Sequence, residues 1–437
     1  MVEKLPTQPY KGSRDFYPPE MRERGWMFSV LEKTVESFGY EKIDAPVIEP
    51  IDIYLAKTSE EIVSRQIYSF EDRGGRKVCI RPEMTPTVSR MVSAKIRELP
   101  RPIRWYSLPN LWRYEKPGKG RLREHWQLNA DLFGASDEFM ADVEILQLAM
   151  DILIAFKADP GTFNLFLNHR NLLNDVFEKL LKIPREKWPS AARILDKKEK
   201  ISKDEYEKML NEAGLTNDQT KIINEYIDNG LNFLKENKSK LSSEYTEYLF
   251  KLISFLTDLG YGDYVRYNPS VIRGFDYYTG MVFEIFDEHP ENRRSLYGGG
   301  RYDNLISAFS KESLNAVGFG MGDVTLYEFL STHKLIPGIL PKTQIYVASF
   351  LEEECKKEAF VISAKLRKEG YLVETSLGQT KLGKQFQEAD TKKIPIVIIQ
   401  GLEEKKENKI TVKDMKSGEQ NIIDEKEILN YLEKYFN

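Results

Sequence analysis

The stretch WRYEKPGKGRLREHWQLNAD, residues 112–131, contains a basic loop between two apolar segments. We predict strands at 103–115 and 126–133, which this loop joins as an antiparallel hairpin. In the second strand apolar residues such as Leu128 and Ala130 alternate with polar ones, so one face packs and the other meets solvent or lines a pocket. The polar positions are Gln127, Asn129 and Asp131.

The loop of this hairpin is rich in positive charge. Its cations are Lys116, Lys119, Arg121 and Arg123. Clustered cations on a loop suit the phosphates of a nucleotide or of RNA, and the neighbouring His125 and Trp126 are able to stack on a base. A solvated basic loop without a ligand is an equally good interpretation of the same charges.

A second candidate segment is RPEMTP, residues 81–86. Arg81, Glu83 and Thr85 alternate, so in an extended chain they project the same way. A carboxylate beside a hydroxyl can hold a substrate ammonium group. The alternative is a surface loop with a local ion pair.

A third segment, RGFDYYTG at residues 273–280, brings an arginine and two tyrosines together. With the polar face of the predicted strand at 126–133, the tyrosines can line a pocket for a ligand with two ring nitrogens. Buried tyrosines with satisfied hydroxyls are the alternative. The residues concerned are Arg273, Tyr277 and Tyr278, with Gln127 and Asp131 on the strand.

Two glycine-rich segments complete the set of motifs. In YGGGRYDNL, residues 297–305, we predict a strand end, a glycine run and a helix start, where the backbone can approach a ligand and a helix N-terminus favours anions. The run fits neither the dinucleotide fingerprint nor the Walker A loop. AVGFGMGDVTLYEFL, residues 316–330, repeats the pattern with Asp323 as a candidate N-cap.

The chain divides into regions of different character. Periodicity predicts a helix from Pro18 to Phe38 and an extended segment with two prolines at 41–54. Residues 171–262 are rich in Lys, Glu and Asn and indicate a helical insertion. The Pro/Gly-rich segment 336–344 is the predicted linker, and strands alternate with helices after it, which indicates a small α/β domain.

The whole chain has 437 residues, so two or three domains are expected. Its net charge of −4 gives no sign of a nucleic-acid partner, which local basic loops would have to bind. Cys79 and Cys355 are too few and too far apart for a disulfide framework or a zinc site. With no apolar leader and no run of about 18 apolar residues, we expect a cytoplasmic protein without a membrane partner.

Taken together, these segments resemble the histidyl-tRNA synthetase family from near the N-terminus to the end. RGFDYY and GGGRYD resemble the two signatures peculiar to this family. The segment that resembles motif 2 of class II synthetases indicates by itself only that class. The other matching segments are GSRDFYPPE at the start, FGYEKIDAPVIEP as class II motif 1, YSLPNLWRYEKPGKGRLREHWQ as motif 2, AVGFGMGDVTL as motif 3, and LGKQFQEADTKKIPIVIIQG in an anticodon-binding domain.

The resemblance implies an α+β fold. A class II catalytic domain with an antiparallel sheet and flanking helices would span 1–335 and carry the helical insertion at about 171–262. An α/β anticodon-binding domain would span 343–437. It also implies a homodimer formed through motif 1 and a tRNA(His) partner.

The resemblance further implies a reaction and a set of roles. L-histidine and ATP would give histidyl-adenylate and pyrophosphate, and the terminal ribose of the tRNA would then take the histidine. Arg113 would hold the α-phosphate and the substrate carboxylate, Arg121 would reach the outer phosphates, and Arg273 would stabilise charge at the α-phosphate. Magnesium would bridge the leaving phosphates, with no protein ligand assigned. Glu83, Thr85, Gln127, Asp131, Tyr277 and Tyr278 would hold histidine, and Glu115 and His125 would complete the ATP site.

Three positions depart from the family pattern. Asp131 stands where the family usually has Glu, which shortens the reach of the acid. His125 stands where a Phe commonly stacks on adenine. Thr325 stands where motif 3 usually has an arginine that holds the γ-phosphate, so either Arg121 or Arg123 carries that charge or the affinity for ATP is reduced.

Two other functions compete with a ligase for histidine. A non-catalytic paralogue of the family is a regulatory subunit of ATP phosphoribosyltransferase, but such paralogues generally lack the anticodon-binding domain. A class II ligase for proline or threonine would share the C-terminal domain type, but RGFDYY and GGGRYD argue against it.

Overall fold

The computed structural model describes residues 5–55, 65–197, 201–272, 278–292, 294–377 and 380–436. The chain forms two compact units. One comprises residues 1–15 and 26–336, and the other comprises residues 16–25 and 337–437. Within the described ranges, no helix is long and apolar enough to cross a lipid bilayer.

The first unit contains short and long strands that form two sheets. In chain order the strands are β1 Glu41–Lys42, β2 Ile48–Pro50, β3 Tyr68–Glu71, β4 Lys77–Ile80, β5 Ile103–Ser107, β6 Asn110–Trp112, β7 Glu124–Phe133, β8 Phe163–His169, β9 Val265–Tyr267, β10 Met281–Asp287, β11 Ser295–Arg301 and β12 Ala316–Gly322.

Helices accompany these strands, and five of them lie in the predicted insertion. In chain order they are α1 Pro18–Ser37, α2 Asp52–Leu55, α3 Thr85–Ala94, α4 Glu138–Ala155, α5 Arg170–Asp175, α6 Trp188–Lys197, α7 Lys203–Glu212, α8 Asn217–Glu236, α9 Ser243–Leu256 and α10 Asp323–Thr332. The predicted first helix is confirmed, and the part of 171–262 that the structure describes is mostly helical.

The large sheet is mostly antiparallel and has the strand order β1-β5-β7-β12-β11-β10-β8-β9, with β6 also paired to β7. Only its two edge pairs, β1 with β5 and β8 with β9, are parallel. Since successive side chains of a strand point to opposite faces, each central strand has one face that packs in the apolar core and an opposite face that is described with the candidate site below. Leu128, Ala130 and Leu132 of β7 lie in the same core cluster as α4.

The hairpin around residues 112–131 has one interruption that we did not predict. The segment 103–115 forms two strands, β5 and β6, which both pair antiparallel with β7. The break falls at Leu108 and Pro109, because proline has no N–H to donate to the ladder. The predicted second strand is confirmed as β7, which begins two residues earlier, at Glu124.

The predictions for the glycine-rich segments are partly wrong. Gly298–Gly300 lie inside β11 and do not precede a helix, because only a short 3₁₀ turn at Ile306–Ala308 follows. Asp323 is not the N-cap of α10, because Gly322 holds that position and Asp323 is the first residue of the helix. The carboxylate is used elsewhere, as described below.

The extended segments predicted near the N-terminus are shorter than expected. Residues 41–54 contain β1 and β2, but they end in α2. The first four residues of RPEMTP form a turn after β4, and its last two begin α3. Strands β2, β4 and β3 form a small separate antiparallel sheet.

The second unit has a five-stranded sheet with the order β14-β13-β15-β16-β17. Its first three strands are parallel, and β16 and β17 add an antiparallel hairpin that we did not predict. The elements are β13 Ile345–Val347, α11 Glu353–Lys368, β14 Val373–Thr375, α12 Leu382–Thr391, β15 Ile396–Ile399, α13 Leu402–Lys406, β16 Lys409–Asp414, β17 Gln420–Asp424 and α14 Ile428–Phe436. The predicted alternation of strands and helices is confirmed.

A buried charge network lies under the large sheet. The Arg301 guanidinium donates to Asp142 of α4 at 2.6 Å and to the carbonyl of Glu138 at 2.8 Å. Tyr248 of α9 donates its hydroxyl to the same Asp142 carboxylate. Arg301 and Asp142 are both almost inaccessible to solvent. Arg301 also lies 3.1 Å from the partly exposed Asp303 carboxylate, so Asp142 is its buried partner.

We expect Asp142→Asn to lower the free energy of unfolding by about 3 kcal/mol, because it leaves the Arg301 charge poorly compensated in the interior. Tyr248→Phe is the matched control. It removes only a hydroxyl that donates to the same carboxylate, and we expect it to lower the free energy of unfolding by about 1 kcal/mol. Urea unfolding of both variants measures the difference. Equal losses in the two variants would contradict the dominance of the Arg301–Asp142 pair.

Candidate active site

The second face of the central strands forms a polar surface on a floor of glycines. Asp131 lies opposite Gly318 of β12, which lies opposite Gly300 of β11. A Cβ atom at Gly318 would stand 2.6 Å from Asp131 Oδ1, and one at Gly320 would stand 2.2 Å from Gln127 Nε2. The polar side chains of β7 therefore lie over positions that only glycine can occupy.

Asp131 is buried at the centre of this surface. The hydroxyl of Tyr302, also buried, donates to its Oδ1 atom. Burial raises the pKa of Asp131 to about 7, and the Tyr302 hydrogen bond opposes that rise. Our sequence analysis did not assign Tyr302 to the site, although it stands two residues after Gly300, the spacing that puts two residues on one side of an extended chain.

Gln127 and Asn129 extend the polar surface along β7. Gln127 Nε2 donates to Asn129 Oδ1 at 2.7 Å, and Asn129 Nδ2 donates to the Gln127 carbonyl at 3.1 Å. Their mutual bonds fix both amides beside the glycine floor. Asn129 was predicted on this face but was not given a role.

Tyr278 borders the same surface. Its ring carbon Cδ1 would lie 3.1 Å from a Cβ at Gly300, and its backbone carbonyl accepts a 2.7 Å bond from Arg170. Its side chain and Tyr302 belong to one buried cluster. The other two predicted residues of that segment, Arg273 and Tyr277, lie outside the described residues.

The turn before α3 holds the candidates Glu83 and Thr85. Glu83 is buried, and Thr85 is half-buried as the first residue of α3. Between them, Met84 packs in the same cluster as Tyr278 and Tyr302, so the turn adjoins the polar surface. The Arg81 guanidinium bonds the carbonyls of Ala45 and Asn110 at 2.6 and 3.1 Å, which ties the turn to two neighbouring segments.

Arg113 and His125 lie at the other end of the site. Arg113 Nε donates to the Pro82 carbonyl at 2.9 Å, which ties the end of the hairpin to the turn before α3. Burial, followed by the charges of Arg113 and Arg14, lowers the pKa of His125 to about 3. The imidazole is therefore neutral near pH 7, and a flat neutral ring can stack on a base.

The basic loop is less available for phosphates than its sequence suggested. Arg121 Nη1 lies 3.1 Å from Glu115 Oε2. Arg123 is stacked on the ring of Tyr114, 4.0 Å from its centroid, and donates to the Tyr10 hydroxyl at 2.8 Å. The aromatic contacts hold Arg123 in place, so of the two cations Arg121 is the better candidate for a phosphate.

Helix α10 begins next to this loop. Thr325 donates its hydroxyl to the carbonyls of Leu296 at 2.8 Å and Gly322 at 3.3 Å. Asp323, 4% exposed, accepts the Trp126 backbone N–H at 2.9 Å and an Arg14 Nη2 bond at 2.7 Å. Within the described ranges, no group of three or more His, Cys, Asp or Glu side chains could hold a metal ion.

Solved structures with this fold include a histidyl-tRNA synthetase from Nostoc, with a TM-score of 0.82, 24% identity and coverage of 99% of this chain and 100% of that one. An ATP phosphoribosyltransferase regulatory subunit/histidyl-tRNA synthetase from Bacillus halodurans has a TM-score of 0.72 and 20% identity, and covers 89% of this chain and 97% of that one. At these identities they show the fold, which is the α+β fold of class II aminoacyl-tRNA synthetases.

Sequence comparison identifies the family. A histidyl-tRNA synthetase family model matches residues 12–324, and an anticodon binding domain model matches residues 343–435. A histidine–tRNA ligase from Leptospira biflexa is 48% identical over 96% of this chain and 95% of that protein. One from Haloarcula marismortui is 37% identical over 94% of each. The chain belongs to the histidyl-tRNA synthetase family.

We expect Asp131→Asn to change how stability depends on pH. The Asp131 pKa is raised to about 7 in the folded chain, so ionising it costs stability as the pH rises from its unfolded value toward 7. Between the unfolded pKa of an aspartate and pH 7, the free energy of unfolding of the variant should rise relative to wild type by up to about 1.4 kcal/mol per pH unit. Above pH 7 the difference should level off.

Chemical unfolding at several pH values between 5 and 8 measures this difference. The exposed Asp263 provides the control, because Asp263→Asn changes no buried charge. Parallel pH profiles for wild type and Asp131→Asn would argue against a buried, protonated Asp131.

Proposed function

We propose that this chain is a histidine–tRNA ligase. It activates L-histidine with ATP, releases pyrophosphate, and transfers histidine from the adenylate to the 3′-terminal ribose of tRNA(His). The observation that carries the proposal is the buried Asp131–Tyr302 pair on a glycine floor. It supports a site for a flat ring with a polar edge, in a chain whose relatives are histidine–tRNA ligases.

Histidine recognition follows from the acceptors on this surface. One oxygen of Asp131 accepts the Tyr302 hydroxyl, and the other would accept an N–H of the imidazole. Gln127 and Tyr278 add polar groups at its edge. A site built to bond a polar ring leaves buried groups unpaired when a rival side chain enters, so it discriminates strongly without an editing domain.

The substrate ammonium would lie at the turn before α3. Glu83 supplies the carboxylate and Thr85 the hydroxyl, and both adjoin the cluster that contains Tyr278. Tyr277 would complete the histidine pocket, a role that rests on the family resemblance alone.

The nucleotide would lie toward the end of the hairpin. The neutral His125 ring would stack on adenine, and Arg113 would hold the α-phosphate and the histidine carboxylate. Arg113 donates its Nε–H to the Pro82 carbonyl, and in the proposed complex its Nη atoms would turn to the substrates. Arg121 would exchange its Glu115 partner for the outer phosphates.

Magnesium would accompany the triphosphate and neutralise its charge. Such an ion keeps most of its ligands from phosphates and water and needs only one or two protein carboxylates. The largely buried Glu115 carboxylate at the end of the hairpin fits that requirement.

Catalysis would depend on positioning and on charge. The histidine carboxylate attacks the α-phosphate, and no protein nucleophile is required. Arg273 would stabilise the charge that develops there, on the strength of the family signature.

The regulatory-subunit alternative is disfavoured. The chain keeps an anticodon-binding domain, at residues 343–435, and its relatives at 35–48% identity over nearly the full length are named as ligases. That domain would bind tRNA(His). As the sequence predicts, we also propose a cytoplasmic homodimer with motif 1 at its interface.

The direct test is histidine-dependent exchange of pyrophosphate into ATP by the purified chain. We expect exchange with histidine and none with proline or threonine, followed by charging of tRNA(His) when the tRNA is added. Absence of exchange with any amino acid, from a folded protein that binds ATP, would favour the regulatory alternative.

We expect Tyr302→Phe to raise KM for histidine about fivefold, because the Asp131 carboxyl loses a hydrogen bond worth about 1 kcal/mol. Its KM for ATP should not change. The matched control is Tyr297→Phe, which removes a buried hydroxyl bonded to the Ala149 carbonyl at 2.6 Å on the opposite face of β11. If both variants change KM for histidine equally, the effect is structural and Tyr302 has no part in recognition.

A further inference from the structure

The triphosphate end of the proposed site needs a cation that the motif 3 helix does not supply. Thr325 stands at the motif 3 position, and its hydroxyl is bonded to two backbone carbonyls. It offers neither charge nor a donor to a phosphate. ATP brings about four negative charges near neutral pH, so the arginines of the hairpin need support.

Three cations of the basic loop are already held by other groups. Arg123 is stacked on Tyr114 and bonded to Tyr10. Lys119 donates to the Glu291 backbone carbonyl at 3.1 Å. Arg121 is paired with Glu115, and it already serves as the proposed contact of the outer phosphates.

Arg14, from the segment GSRDFYPPE, reaches the start of α10 from a distant part of the chain. The neighbouring Gly12 carbonyl accepts the backbone N–H groups of Arg123 and Glu124, at 2.8 and 3.1 Å, which lays the N-terminal segment along the start of β7. Arg14 Nη2 then donates to Asp323 Oδ2 at 2.7 Å.

Asp323 fixes this arginine against the site. Its other oxygen accepts the Trp126 backbone N–H, so the carboxylate bridges the residue next to His125 and the Arg14 guanidinium. Asp323 is 4% exposed, whereas the Arg14 side chain is 26% exposed. The acid is buried behind the cation, and the cation keeps an accessible surface.

Arg14 also acts on the ring that would stack on adenine. Its charge contributes, after burial and Arg113, to the lowered pKa of His125. Arg14 therefore lies near enough to His125 for its charge to act on that ring.

We propose that Arg14, anchored by Asp323, supplies the phosphate-binding cation that Thr325 lacks. This role rests on the proposed function for its ligand, ATP, and adds a binding residue contributed by the N-terminal segment. Asp323 is a positioning residue: it touches no substrate and holds the guanidinium at the start of α10.

The test compares two variants that share the same neutral residue at position 323. Asp323→Asn keeps the Arg14 charge, and Arg14→Gln/Asp323→Asn removes it without leaving a buried carboxylate uncompensated. We expect the double variant to bind ATP about tenfold to a hundredfold more weakly than Asp323→Asn, as measured by calorimetric titration. AMP, which lacks the outer phosphates, should bind the two variants equally.

A purely structural Arg14 gives different results. Equal ATP affinity in the two variants would overturn the proposal, and so would equal losses for ATP and AMP. Adding Thr325→Arg to the double variant should restore most of the ATP affinity. If the double variant fails to fold, Arg14→Lys takes its place: it keeps a charge but not the planar fork, and it should weaken ATP more than AMP.

The titrations use neither histidine nor tRNA, so they separate this role from the proposed function. If wild type binds ATP through Arg14 but shows no histidine-dependent exchange, the ligase function is rejected and the role of Arg14 as a phosphate ligand is kept. If the double variant shows normal exchange with an unchanged KM for ATP, the role of Arg14 is rejected and the ligase function is kept.

Discussion

The missing Cβ atoms of two neighbouring strands are the constraint on which the site depends. Any side chain at Gly318 or Gly320 would occupy the space in which Asp131 and Gln127 lie. The glycines therefore let polar groups from β7 rest on the sheet, and they leave a floor of backbone that a flat ring can approach closely. Glycine weakens a strand, and the apolar packing on the opposite face, with Phe319 among its members, offsets that weakness.

The same short segment serves both faces of the sheet. Successive residues of an extended chain point to opposite sides, and Arg301 and Tyr302 follow this rule. Arg301 bonds Asp142 beneath the sheet, whereas Tyr302 bonds Asp131 on the site face. The helical insertion joins this arrangement through Tyr248, which shares the Asp142 carboxylate. The position of the proposed histidine pocket is thus coupled to packing on the opposite face of the sheet.

The parts of the structure that are local in sequence could be predicted, and the parts that depend on distant partners could not. Alternation alone gives the polar face of β7, because its period of two is visible in ten residues. The glycine strand was misassigned because glycine has low strand propensity and usually marks a turn. The bond between Arg14 and Asp323 joins residues 309 positions apart, and no pattern within either segment indicates it.

Two cations of the proposed site are paired with carboxylates in this structure. Arg121 faces Glu115, and Arg14 faces Asp323. Pairing lowers the attraction for an anion, but it fixes the direction of each guanidinium, so less side-chain entropy is lost when a phosphate binds. The two pairs differ in one respect. Glu115 and Arg121 lie on the same loop, so both move when the loop moves. Asp323, in contrast, is bonded to the backbone of β7. Arg14 is therefore held against a fixed point of the sheet. That rigidity suits the proposed role, in which Arg14 replaces the arginine that motif 3 usually has at the position of Thr325 in α10.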